Sequence, residues 1–340
     1  MENSNEDGIL MKGRSSQGCI RLGYRLYLSN FRNIFKAAWL PAVVYAIFFS
    51  IFTTIGVIQY PRLNISVAVN PDSLFSVIGL YLLIFITFGI CLILGGLAEI
   101  FFYSTGFGLL ARHKATGNIE MPSRWLVIDL KTSWRVMKGM LFTLLIFVVA
   151  IGVFGGIGYA LSSIMNHIAG KVIIPPLLFV TPMCLLVIMA SLPVVYAMYK
   201  YILTPGTNYW LALPAAFTEG LRHWGMIFIA VLVAYIVVIG LSAILLLPAN
   251  ILALANFQAN LGIVYGDPLG MPDYIVGFTF VIMLVAGFAE AFIRMTIIFI
   301  IYYVYGSIET QEEERRKYKA RQEEIAEEAL KVNARYLARR

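Results

Sequence analysis

The chain has 340 residues, of which 60% are hydrophobic and only 13% charged, with a mean hydropathy of +0.80 and a formal net charge of +7. Soluble domains carry about a quarter charged residues, so a water-soluble protein is excluded. The positive balance does not indicate nucleic acid either, because no basic stripe is interleaved with stacking aromatics.

Residues 1–17 are polar and of mixed charge, with no short apolar core leading to a small-residue cleavage site. The first span is therefore expected to act as an uncleaved internal signal. In 20–36 the apolar residues Ile20, Tyr24, Tyr27, Leu28, Phe31, Ile34 and Phe35 recur every three or four positions, and Arg21, Arg25, Arg32 and Lys36 take the other side. That pattern predicts an amphipathic helix in the headgroup plane, with its aromatics inserted and its bases toward anionic lipid.

Six stretches then follow that are apolar enough to span a bilayer, whose hydrocarbon core asks for about 20 residues of helix. They are Leu40–Ile58, Leu74–Leu97, Met140–Ile164, Ile173–Leu203, Met226–Leu247 and Tyr274–Tyr305. A second interfacial segment near 125–138 carries Trp125, Trp134, Arg135 and Lys138; a third near 213–224 carries Leu213, Phe217, Leu221, Arg222 and Trp224. Aligning Arg32, Arg135 and Arg222 puts the units 103 and 87 residues apart. The fold expected is all-α integral membrane: six transmembrane helices as three repeats of an interfacial amphipathic helix plus a helical hairpin. It comprises a polar tail (1–17), a six-span domain (18–306) and a charged helical tail (307–340).

The returning spans of the first and third hairpins share a phrase, Gly-x-Ala-Glu-x-Phe, at Gly96–Phe101 and Gly287–Phe292. The matching place in span four has Pro193 and no acid. Setting aside Lys200 at the end of span four, the ionisable acids and bases within apolar helix are Glu99, Glu290 and Arg294. Such residues usually face a bundle interior or a water-filled cavity. Glu290 and Arg294, four apart, share a helix face. Two readings stay open: a self-satisfied ion pair with Glu99 reaching for water, or a polar site for a headgroup, proton or solute. Pro193 frees a backbone carbonyl at a similar level, which is either a plain kink or part of such a site.

The repeated layout over 18–306, with Leu28-Ser29-Asn30-Phe31-Arg32-Asn33-Ile34-Phe35 as its most characteristic phrase, resembles uncharacterised bacterial six-span inner-membrane proteins. These are similar to the membrane domain attached to some glycerophosphodiester phosphodiesterases. The resemblance implies an envelope-associated membrane module; the phosphodiesterase catalytic domain itself has no counterpart in this sequence.

Of the 26 Lys and Arg, 23 fall in 1–36, 111–138, 199–223 and 309–340. That bias places both termini in the cytoplasm of a bacterial inner membrane. Three histidines divided between the two sides, and no HExxH, GxSxG or phosphate loop, argue against an enzyme; no cofactor or metal is expected. The three cysteines have no paired spacing. The expected function is non-enzymatic organisation of lipids or partner proteins. The alternatives are a small transporter or lipid translocator using the intramembrane Glu and Arg, or a regulatory or assembly subunit. The partners would be anionic headgroups and a protein bound through 309–340, where eight acids and nine bases form a helix-prone tail. The outer loop 249–273 has an apolar first half that could lie on the membrane surface.

Overall fold

The computed structural model describes residues 10–69, 74–119, 130–169, 175, 177–266, 271–272 and 274–337. Trp125 and the start of the second interfacial segment lie outside them. Among the described residues there are helices and no strands: α1 (Ser16–Ser29), α2 (Phe31–Thr54), a π-helical turn (Ile55–Gln59), α3 (Tyr60–Val69), α4 (Leu74–Thr116), α5 (Leu130–Ala169), α6 (Leu177–Leu203), α7 (Tyr209–Arg222), α8 (Trp224–Leu245), α9 (Leu247–Val264) and α10 (Tyr274–Leu337). In lipid each backbone N–H and C=O must find its partner within the segment, which a helix provides. The chain is accordingly a multi-pass helical membrane protein. Side chains such as Leu82, Leu83, Phe85 and Ile86 on α4, and Leu144 and Val148 on α5, are exposed, as suits helices whose solvent is hydrocarbon.

Several elements depart from the sequence expectation. Among the described residues seven helices are long and apolar enough to cross a membrane, against the six spans expected. The additional one is α9, in the apolar half of the expected outer loop. Pro248 near its start is pre-set for the first helical turn. On its inner face Asn256 and Asn260 are buried, and Asn256 Nδ2 donates to the Val57 carbonyl at 2.9 Å. That carbonyl belongs to the π turn, where the ordinary ladder is interrupted and backbone groups need other partners. Residues 130–138 form no separate interfacial helix; α5 runs through them without a break. By contrast α1 and α2 are parted at Asn30, and α7 and α8 at His223. Continuing beyond Tyr305, α10 reaches 64 residues, about 96 Å at 1.5 Å per residue.

The helices contribute to two compact units, Met1–Tyr24 with Phe142–Val231 and Ile300–Arg340, and Arg25–Leu141 with Leu232–Phe299. In the first unit, α1 lies against the later part of α10. A Cβ on Gly23 would stand 2.5 Å from Ile300 Cα, so only glycine permits that approach, and Cys19 Sγ contacts the Tyr303 carbonyl at 3.5 Å. Likewise α7 seats Gly220 on α6, where a Cβ would meet Pro193 Cβ at 3.0 Å.

In the second unit, aromatic rings tie α1 and α2 to the early part of α10. Phe292 is the hub, with Phe35 stacked at 5.3 Å and Phe31, Phe102 and Phe288 at 5.9, 5.4 and 5.3 Å. Tyr27 donates its hydroxyl to the Phe292 carbonyl at 2.8 Å. The apolar side of 20–36, expected to insert into lipid, is thus divided. Tyr27 and Ile34 are buried in protein, while Leu28, Phe31 and Phe35 keep exposed surface.

Candidate functional site

Within the second unit the structure brings together Glu99, Glu290 and Arg294. Arg294 Nη1 donates to Glu99 Oε1 at 3.0 Å, and its Nε lies 3.7 Å from Glu290 Oε1. Tyr45, on α2, accepts a hydrogen bond from Arg294 Nη2 and lies under the guanidinium, 5.1 Å from ring centroid to Cζ. The cation therefore holds α2, α4 and α10 at one point. Two carboxylates share one guanidinium, and Glu290 Oε2 is buried with no hydrogen-bond partner. The side chains of Glu99 and Arg294 remain 32% and 27% exposed, so the cluster is open on one side. Charge counting leaves one negative charge for a proton, cation or ammonium group to balance.

The shared Gly-x-Ala-Glu-x-Phe phrase serves the two helices differently. A Cβ on Gly287 would strike the Phe49 ring at 2.5 Å, whereas Gly96 has open space beside it. Phe292 is the buried ring hub, and Phe101 is exposed. Only the glutamates converge.

A second cluster, which sequence reasoning missed, lies in the first unit. Glu219 on α7 accepts from Lys200 Nζ at 2.6 Å, from Arg316 Nη2 at 2.6 Å and from the Tyr196 hydroxyl at 3.1 Å. Lys200 also pairs with Glu309 at 2.8 Å. One turn along, Arg222 grips both oxygens of Glu312 at 3.0 and 2.8 Å, and His223 Nε2 lies 3.1 Å from Glu312 Oε1. Arg315 Nη1 adds a longer contact at 3.7 Å. Burial alone would push the Glu312 carboxyl up; the hydrogen bonds from Arg222 and His223 outweigh it and hold the group below the usual carboxylate range.

The remaining predicted residues are dispersed. Pro193 sits in the first unit, packed on Gly220, with no place in the Arg294 cluster. Arg21, Arg25, Arg32 and Lys36 are exposed. Trp134 is exposed with Lys138 Nζ over its ring at 5.2 Å, and Arg135 is partly buried. Arg222, expected to face lipid, is bound to Glu312. Trp224 donates Nε1 to the Met189 carbonyl at 2.8 Å and stacks on Phe228. Comparison with known protein families, with curated proteins and with solved structures yields no match.

Proposed function

We propose that the chain is a non-enzymatic, six-span bacterial inner-membrane protein, both termini in the cytoplasm, that gathers anionic lipid at its cytoplasmic face. The observation that carries this is the exposed run across the Asn30 break. Arg21, Arg25, Arg32 and Lys36 face outward beside the exposed Leu28, Phe31 and Phe35. Exposed bases interleaved along the chain with exposed aromatic and aliphatic groups suit the headgroup boundary, and each base near an anionic surface adds about 1 kcal/mol of attraction. The single-residue breaks at Asn30 and His223, each just ahead of a span, support a common layout for the first and third repeats. With 23 of 26 bases assigned to one side, α9 is read as a helix that does not cross.

The test is native mass spectrometry from nanodiscs of phosphatidylglycerol mixed with phosphatidylcholine. The wild-type protein should retain phosphatidylglycerol selectively, and replacing the four bases with Gln should abolish the preference. Equal retention of both lipids by wild type would refute the reading.

A second reading is favoured by the Arg294 cluster: a small transporter or lipid translocator in which Glu290 takes up the balancing charge. It predicts a proton- or lipid-dependent flux in liposomes that falls with Glu290→Gln. Flux that is absent under every gradient, or indifferent to that change, would dismiss it.

A further inference from the structure

We infer that the groove between α7 and the charged part of α10 is a phosphate-binding site, occupied by the headgroup of an anionic phospholipid or by a free phosphate. The groove is open on one side, offers about 210 Å³ and is lined by Ala215, Thr218, Glu219 and Arg222 of α7 and by Glu312, Arg315, Arg316 and Lys319 of α10. Both sets step by three, four and seven positions, so each is one face of its helix, and the two faces meet in the first unit. The small Ala215 and Thr218 leave the space open. What lines that space has a definite sign. Its two carboxylates are turned inward, Glu312 being 4% and Glu219 12% exposed, while Arg222, Arg315 and Arg316 keep 46%, 40% and 61% of their side-chain surface.

Each carboxylate is already engaged by more than one donor: Glu219 by Lys200, Arg316 and Tyr196, Glu312 by Arg222, His223 and Arg315. Arg222, Arg315 and Arg316 line the groove with much of their side-chain surface still exposed, and among the described residues Lys319, which also lines it, makes no ion pair. Four cations against two satisfied carboxylates thus present surplus positive charge and planar donors to whatever enters. Guanidinium forks match phosphate oxygens two at a time. The volume falls below that of pockets for drug-sized ligands, about 300 Å³ and upward, and suits a single phosphate group with its attached ester. The phospholipid source rests on the proposed orientation, which puts α7 at cytoplasmic headgroup level just ahead of the fifth span; the phosphate chemistry does not.

The full-length protein is compared with Arg315→Gln/Lys319→Gln, which leaves the Arg222–Glu312 and Arg316–Glu219 bonds in place, and with Thr218→Glu, which puts a carboxylate into the groove. Matching circular dichroism and gel-filtration profiles establish that both variants fold. Two readouts are taken: phosphatidylglycerol retained from nanodiscs, and the rise in Tm in detergent caused by inorganic phosphate over chloride of equal ionic strength. If a phospholipid is the occupant, both variants retain about tenfold less phosphatidylglycerol than wild type. If free phosphate is the occupant, phosphate raises the Tm of wild type and of neither variant, with no lipid preference; the site then stands and the lipid-gathering reading falls. The inference is overturned if both variants match wild type in both readouts, even where the Arg21/Arg25/Arg32/Lys36 replacement abolishes lipid selectivity. In that case the lipid reading survives without this site. Wild type indifferent to both probes overturns it too, including when an acidic protein co-purifies instead.

Discussion

Around Arg294 a single cation stands among acids; around Glu312 an acid stands among cations. In the first arrangement Arg294, Glu99 and Glu290 retain 27%, 32% and 15% of their side-chain surface, and among the described residues the two acids share Arg294 as their ion-pair partner. In the second the carboxylates are nearly covered while the bases extend outward, Arg316 to 61%. The long stems of Lys and Arg permit this, since the alkyl part lies on protein while the charge reaches solvent. A guanidinium four residues from one carboxylate, and bonded to another from a neighbouring helix, has no such exit. The Arg294 cluster therefore works as a clasp with one charge left over, and the Glu312 cluster as a surface whose spare charge points outward.

The largest expected effect tests that clasp. Arg294→Met leaves Glu99 and Glu290 facing each other in an apolar setting and should destabilise the protein by about 3 kcal/mol, measured by reversible unfolding in mixed micelles. Adding Glu99→Gln and Glu290→Gln should restore most of the loss, because the neutral amides no longer need the cation. Unfolding of Arg294→Met indistinguishable from wild type would show that the clasp holds nothing. A smaller contrast separates the two copies of the shared phrase. Gly287→Ala must displace the Phe49 ring and should cost about 1–3 kcal/mol by overpacking. Gly96→Ala meets nothing and should gain about 0.5–1 kcal/mol from helix propensity. Equal behaviour of the two would mean that the Phe49 contact does not constrain the fold.

These two clusters were not equally legible in the sequence. Charges inside apolar helix stand out against their background, so Glu99, Glu290 and Arg294 declared themselves, and the spacing of 290 and 294 already put two of them on one face. Tyr45 did not, since a tyrosine in an apolar run has no periodicity of its own and its role depends on which helix lies opposite. Glu219, Glu309, Glu312 and Arg316 lie in polar or amphipathic segments where charge is ordinary. Their one sequence-level trace is Lys200, a cation ending an apolar helix with no acid within a turn of it. The basic side of 20–36 was readable from its stepping, but the docking of Tyr27 and Cys19 on α10 was not: Gly23, small where the helices touch, carried that information without any pattern to reveal it. In the same way, the asparagines of α9 lower its hydropathy, yet Asn256 and Asn260 are both buried, and Asn256 donates to a carbonyl of a π turn that no propensity announces.

The smallest expected loss of stability bears on the Glu312 side and has a definite pH dependence. Glu312 lies beyond the apolar stretch ending at Tyr305, and its carboxyl is held below its ordinary value despite burial. A group whose folded value is depressed contributes its full stabilisation above the unfolded value, about 4.3 for Glu, and loses it as pH falls toward the folded value. Wild type and Glu312→Gln should therefore differ in stability at neutral pH and converge as pH drops below about 4.3. The neutral-pH gap should be about 1–2 kcal/mol, less than for Arg294→Met, because Arg222 and Arg315, at 46% and 40% exposure, can turn to water when their acid is removed. A gap of the same size at low pH would mean that packing of the side chain, not its charge, is what α7 and α10 exchange there. A gap at neutral pH as large as that of Arg294→Met would erase the distinction between a cation clasped by two acids and outward-facing ones.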